Sequence, residues 1–291
     1  MSDLLRIQNL EKHYDGFDLE GVSLAVPAGS VVGFIGSNGA GKTTTIKAIL
    51  GLIKPDGGTI SLFGEEVSGA PEKRLAELKQ RIGVVFDTCS FPEELTVNTV
   101  GKLMKQCYKG WNPGAFRTFV QQLGLPADKT VKDLSRGMGM KLSLACALAH
   151  DPDLLILDEA TAGLDPMARE EALDTLRLFM GEHRGILMSS HITSDLEKIA
   201  DYIAFIHKGK LVFSKSKDDI LYGFGIAKCG EEAFTALDKT DVLAYRKNKF
   251  GYEVLVDDAP LARAKYDGMC IDKPTIEEIM TLYVRGARQE Q

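Results

Sequence analysis

The sequence predicts an α/β protein: a P-loop core, an antiparallel β layer beside it, an α-helical insertion and a small C-terminal α+β extension. Three observations carry that prediction. First, residues 30–35 form a β-rich apolar run that leads into Gly36-Ser37-Asn38-Gly39-Ala40-Gly41-Lys42-Thr43, which fits the pattern G-x-x-x-x-G-K-[ST] at every fixed position. Residues 42–52 then set Ile46, Ile49 and Leu50 on one helical face, so strand, glycine loop and helix follow in order. Second, residues 96–125 switch to helical periodicity. Third, Leu154-Leu155-Ile156-Leu157 reads as a buried strand that delivers Asp158 and Glu159 at its end.

Taken in order, residues 4–10 and 19–26 read as strands around a loop at Asp15-Gly16, with Tyr14 between them. An aromatic face near a nucleotide can stack on a base; standing alone, Tyr14 reads as an ordinary half-buried strand residue. The glycine loop comes next. Its backbone N–H groups can wrap a phosphate, and the following helix favours negative charge at its N-terminus. Lys42 would reach the β- and γ-phosphates, the Thr43 hydroxyl would bind Mg²⁺, and Thr44 continues the cradle. Residues 59–63 form a further strand, 71–80 a charged helix, and 81–86 another strand. Thr96 caps a helix carrying Val97, Val100, Leu103 and Met104, and Asn112-Pro113 opens a second with Phe116, Phe119, Val120 and Leu123 inward. Ser135 is a natural cap for a third. Beyond Glu159 come Gly163-Leu164-Asp165-Pro166, an amphipathic helix, the strand at 185–190 and then His191. Open α/β sheets place ligands at the carboxyl ends of their strands. There Asp158 suits Mg²⁺ through water, and Glu159 suits a general base for an attacking water.

Composition narrows the function classes. The chain has 291 residues, 44% hydrophobic and 26% charged, as an ordinary globular protein does. A net charge of −6 argues against bulk binding to nucleic acid or acidic lipid. The five cysteines, Cys89, Cys107, Cys146, Cys229 and Cys270, lack metal-ligand spacing and read as reduced thiols. No run approaches a membrane span, and no apolar signal region opens the chain.

Tyr14, the 36–43 loop, Leu134-Ser135-Arg136-Gly137-Met138, the Leu154–Glu159 run, Gly163-Leu164-Asp165 and His191 together resemble, in order and approximate spacing, the ATP-binding-cassette (ABC) transporter ATPases. The resemblance covers about residues 4–215. It is nearest to ATP-binding subunits of bacterial exporters whose membrane subunits are separate chains, a group that includes exporters of amphipathic peptides and peptide antibiotics. It implies a RecA-like core, ATP and Mg²⁺ as ligands, and two cassettes, in a homodimer or a paralogous heterodimer, that sandwich two ATP molecules. One chain's 36–43 loop would then meet the other's Ser135 and Gly137. His191 would touch the γ-phosphate, Asp165 would couple the two sites, and Tyr14 would stack on adenine. A separately encoded transmembrane permease would hold the protein peripherally on the cytoplasmic face of the membrane, its cytoplasmic helix docking between Asp87 and Trp111. Phe91, Pro92 and Leu95 are apolar loop residues that could form this surface or cap the helical insertion.

Departures from the family pattern are Arg136 and Met138, where glycine and glutamine are usual, Ala160 after the glutamate, and above all Asp87, where a glutamine normally contacts Mg²⁺ and water. Asp87 is accordingly a candidate metal ligand. The expected division is a cassette at 1–224, with its helical insertion at about 87–150, and an accessory α+β extension at 225–291. In that extension, strands are expected at 242–246 and 250–256, a helix at 275–284 and a polar, frayed tail from 285 to 291. A soluble ABC ATPase of translation or DNA repair would bring tandem P-loops or a long coiled-coil insertion, and this chain has neither. A weakly hydrolysing nucleotide sensor is the other alternative, raised by Asp87 and Arg136.

Overall fold

The computed structural model describes residues 2–287. Two long strands, β1 (Asp3–Tyr14) and β2 (Phe17–Pro27), make a hairpin, and β3 (Val31–Ile35) runs into the glycine loop and α1 (Lys42–Ile49). Then come β4 (Gly57–Leu62), the short β5 (Glu65–Glu66), α2 (Glu72–Lys79) and β6 (Ile82–Val85). The insertion consists of α3 (Val97–Cys107), α4 (Pro113–Gln122) and α5 (Arg136–Leu148). The core resumes with β7 (Leu154–Asp158), α6 (Pro166–Phe179), β8 (Gly185–Ser190), α7 (Thr193–Ile199), β9 (Tyr202–His207) and β10 (Lys210–Ser216).

Two sheets share one core. The antiparallel sheet has the order β2-β1-β4-β5, and the second has the order β10-β9-β3-β8-β7-β6, with β9, β3, β8, β7 and β6 running parallel. Alternate residues of β1 and β2 (Leu5, Ile7, Leu24, Val26) pack with Phe34, Ile46, Ile156 and Leu187. Strands β3, β7 and β8 are buried along their whole length, as a parallel sheet covered on both faces requires. Register decides where the chemistry falls: Ile35 pairs with Ser190, and Asp158 with Ser189. The glycine loop, Glu159 and His191 therefore leave neighbouring strands at one edge of the sheet.

The helices of the insertion are fixed by the caps that the sequence announces. The Thr96, Asn112 and Ser135 side chains accept backbone N–H bonds from Thr99, from Gly114 and Ala115, and from Met138. Val97, Val100, Phe116, Val120, Leu142 and Ala145 make a second core. Phe91 and Leu95 are half-buried against that core, as the reading that they cap the helical insertion requires; Pro92 alone of the three is exposed.

The chain divides into Met1–Ser214 and Lys215–Gln291, ahead of the boundary expected at 224. Lys215 and Ser216 end β10. Ser216 also caps α8 (Lys217–Gly223), which lies within the second unit. That unit continues with β11 (Gly225–Cys229), α9 (Glu231–Thr235), β12 (Ala244–Asn248), β13 (Gly251–Val256), α10 (Ala259–Lys265), β14 (Cys270–Asp272) and α11 (Ile276–Arg285). Its all-antiparallel sheet has the order β12-β13-β11-β14, the split βαβ arrangement of ferredoxin-like modules. Of the tail expected at 285–291, Arg285 ends α11, Ala287 bridges Tyr245, and 288–291 lie outside the described residues. All five cysteines are free, and among the described residues no helix is long and apolar enough to cross a membrane.

Candidate nucleotide site

The site is built from the ends of β3, β7 and β8. Lys42, only 6% exposed, turns its ammonium back into the loop, where it donates to the carbonyls of Gly36 at 2.8 Å and Ser37 at 3.3 Å. Its third neighbour is Glu159 Oε1 at 3.1 Å, an ion pair outside hydrogen-bond geometry, so that buried oxygen has no hydrogen-bond donor among the described residues. The other carboxylate oxygen, Oε2, lies 2.6 Å from His191 Nδ1 and accepts the His191 backbone N–H at 3.2 Å. Glu159 itself sits at φ 53°, in the left-handed region that a non-glycine residue occupies at a cost of about 1–3 kcal/mol. Two bonds hold it there: its N–H donates to the Ser189 carbonyl and to Ser189 Oγ, each at 3.1 Å.

Ser189 is the residue that sequence reasoning missed. Fully buried, it also donates from Oγ to Asp158 Oδ1 at 2.6 Å, so one hydroxyl aligns both carboxylate residues. The available signal was the pair Ser189-Ser190, polar residues that end an apolar strand just before His191.

The loop residues fit a phosphate. Gly36 is buried, and a Cβ there would lie 2.5 Å from the Ile206 carbonyl; Gly41, at φ 115°, would press on Leu19 at 2.8 Å. Gly41 is also the N-cap of α1 and offers no side chain to the first-turn N–H groups, leaving them for an anion. Ser37, Asn38 and Gly39 are exposed on the rim, Ala40 is buried beneath, and Thr43 and Thr44 open the helix. Among the described residues no cluster of three or more His, Cys, Asp or Glu could hold a metal alone. Thr43 and Asp158 carry oxygen donors of the kind that fit Mg²⁺, which characteristically keeps waters and takes further ligands from substrate phosphates. Asp87 is exposed and forms no hydrogen bond or ion pair among the described residues. Tyr14 ends β1 and is 45% exposed, its ring 5.4 Å from Lys12 Nζ.

Ser135, Gly137 and Asp165 form a separate group, not bonded to the glycine loop among the described residues. The exposed Ser135 caps α5. A Cβ on Gly137 would meet Leu164 only at an ordinary 3.5 Å, so the chain's own packing does not demand that glycine; at Gly139 a Cβ would lie 2.9 Å from Cys89. The Arg136 guanidinium lies against Gly163, within 2.7 Å of where a Cβ would stand. Asp165 accepts the N–H groups of Met167 and Ala168 at 3.0 Å and caps α6; these bonds, that of Ala168 foremost, hold its carboxyl below the usual carboxylate range.

A family model described as "ABC transporter" matches residues 19–162. The chain is 39% identical over 212 residues to the Nod factor export ATP-binding protein I of Burkholderia orbicola (strain AU 1054), covering 70% of this chain and 68% of that one. To the bacitracin transport ATP-binding protein BcrA of Bacillus licheniformis it is 36% identical over 216 residues, 73% of this chain and 69% of the relative. A solved ATP-binding subunit of an ABC transporter superimposes with a TM-score of 0.67 at 30% identity, over 75% of this chain and 91% of the other.

Proposed function

The chain belongs to the ABC transporter family of ATP-binding cassettes, and from that premise we propose that it is the ATP-binding and hydrolysing subunit of an export system. The observation that carries this reading is the Lys42–Glu159–His191 chain of contacts, with Asp158 held beside it by Ser189. Residues 36–44 and Lys42 would hold the phosphates, Tyr14 the adenine, and Thr43, Asp158 and, through its loop, Asp87 the Mg²⁺. MgATP, when bound, supplies the phosphoanhydride bond that is hydrolysed. Glu159 orients a water and takes its proton, and His191 Nδ1 keeps the carboxylate turned to that task. Lys42 exchanges the Glu159 carboxylate for phosphate and so frees the base. This intact set supports real turnover over a nucleotide sensor.

Ser135, Gly137 and Asp165 would face a second cassette, a copy or a paralogue; a first-turn glycine that the chain's own packing does not need supports this. The partner in the membrane is a separately encoded permease that recruits the protein to the cytoplasmic face. A cavity of about 190 Å³ lined by Phe86, Thr88, Phe91, Met104 and Tyr108, between the core and the insertion, supports docking there. The bacitracin relative supports a peptide cargo. The test is Glu159→Gln: it should bind ATP, lose most turnover and accumulate as an ATP-bound dimer in light scattering. A monomer under saturating ATP, with wild-type turnover, would reject the reading.

A further inference from the structure

We infer that Arg169 is a positioning residue, its guanidinium shared between the buried Asp195 carboxylate and the Leu164 carbonyl so as to tie the His191 segment to the Asp165 loop. Asp195 stands in α7, in the turn that follows His191, and is 1% exposed. Its Oδ2 is buried and accepts no hydrogen bond among the described residues. The cation that faces it is Arg169 of α6, with Nε at 3.7 Å, inside ion-pair range and beyond hydrogen-bond range. Arg169 Nε likewise finds no acceptor, while Nη2 donates to the Leu164 carbonyl at 3.3 Å. Leu164 directly precedes Asp165, whose own carbonyl accepts the Arg169 N–H at 3.0 Å.

A buried carboxylate paired only loosely is costly, and such groups persist where they are used. The guanidinium carries five donors in a rigid fork, so a small rotation can tighten Nε on Asp195 and loosen Nη2 from Leu164. Two arrangements of one side chain then correspond to two placements of Asp165 relative to His191. Outside this pair, the same two helices are joined by Lys198 and Glu170 at 2.5 Å, a solvent-exposed contact that touches neither site loop. That pair supplies the control.

The inference rests on the roles proposed for Glu159, His191 and Asp165. The experiment measures kcat, KM for MgATP, nucleotide affinity and Tm for the full chain carrying Arg169→Lys, Asp195→Asn, both together, or Lys198→Gln. Arg169→Lys keeps the charge and loses the fork. It should lower kcat on the order of 10- to 100-fold, as misplacement of a reacting group does, with KM, nucleotide affinity and Tm close to wild type. Asp195→Asn should match it, and the double variant should be no worse than either, since both remove one tie. Lys198→Gln should leave kcat unchanged. Wild-type kcat in Arg169→Lys, additive losses in the double variant, or an equal loss in Lys198→Gln would overturn the inference. Its failure is separable from failure of the proposed function: dimerisation of Glu159→Gln with ATP tests that function without reference to Arg169.

Discussion

Lys42 donates to two loop carbonyls and faces Glu159 Oε1 at 3.1 Å as its counter-charge, outside hydrogen-bond geometry. Removing it would take away the proposed phosphate contact and leave the buried Glu159 Oε1 without its counter-charge. Lys42→Ala should lose nucleotide affinity itself, unlike Glu159→Gln, and equilibrium binding of a fluorescent ATP analogue separates the two; unaltered affinity would remove Lys42 from the site. Asp87 presents the opposite case, an exposed carboxylate with no partner among the described residues. A carboxylate is a stronger Mg²⁺ ligand than an amide. Asp87→Asn and Asp87→Ala should both need more Mg²⁺ for half-maximal ATPase activity, with alanine the worse, and superimposable titrations would show that Asp87 does not touch the metal. At this scale the sequence announced the residues with side-chain chemistry, Lys42, Asp158, Glu159 and His191, because a glycine loop and a strand end demand them. It did not announce Ser189 or Arg169, whose importance lies in what they touch across the fold.

Among the elements, those with strong local signals were legible: the capped helices of the insertion and the apolar strands that flank the glycine loop and end at Asp158. The extension was read as two strands and one helix. Its α9, α10, β11 and β14 were missed, each being short, of three to seven residues, and too brief for periodicity to register. For Phe91 and Leu95 the sequence leaves docking surface and cap of the insertion both open, because only the folded insertion shows what covers them. The insertion also contains a glycine whose role no propensity predicts. Gly101 lies within α3, where alanine would gain about 1 kcal/mol in helix propensity. A Cβ there would stand 2.4 Å from the ring of Phe116, itself 4% exposed and packed against Trp111 at 5.3 Å. Overpacking of that kind costs about 1–3 kcal/mol, so it outweighs the propensity gain. Gly101→Ala should lower the urea midpoint of unfolding without changing the slope, and a raised midpoint would mean that the ring yields freely.

For the molecule as a whole, the decisive feature is that each unit carries its own core. The apolar clusters of residues 4–206 and 97–149 lie within Met1–Ser214, and that of residues 227–271 lies within Lys215–Gln291. The nucleotide-site residues all belong to the first unit. A ligand that binds only the folded cassette stabilises that unit by mass action and does nothing for the other. With Glu159→Gln to suppress turnover and MgATP at about 100 times its Kd, binding alone contributes about 2.7 kcal/mol, to which dimerisation adds. For a unit of this size each kcal/mol moves Tm by about 2–4 °C, which gives a rise of at least about 5–11 °C. Calorimetry of the full chain should accordingly show two transitions, of which only the one belonging to the cassette moves with MgATP. The same shift should appear in a chain ending at Ser214. A single transition that moves as one would show that the two cores unfold together, and a shift confined to the C-terminal transition would place the nucleotide in the wrong unit.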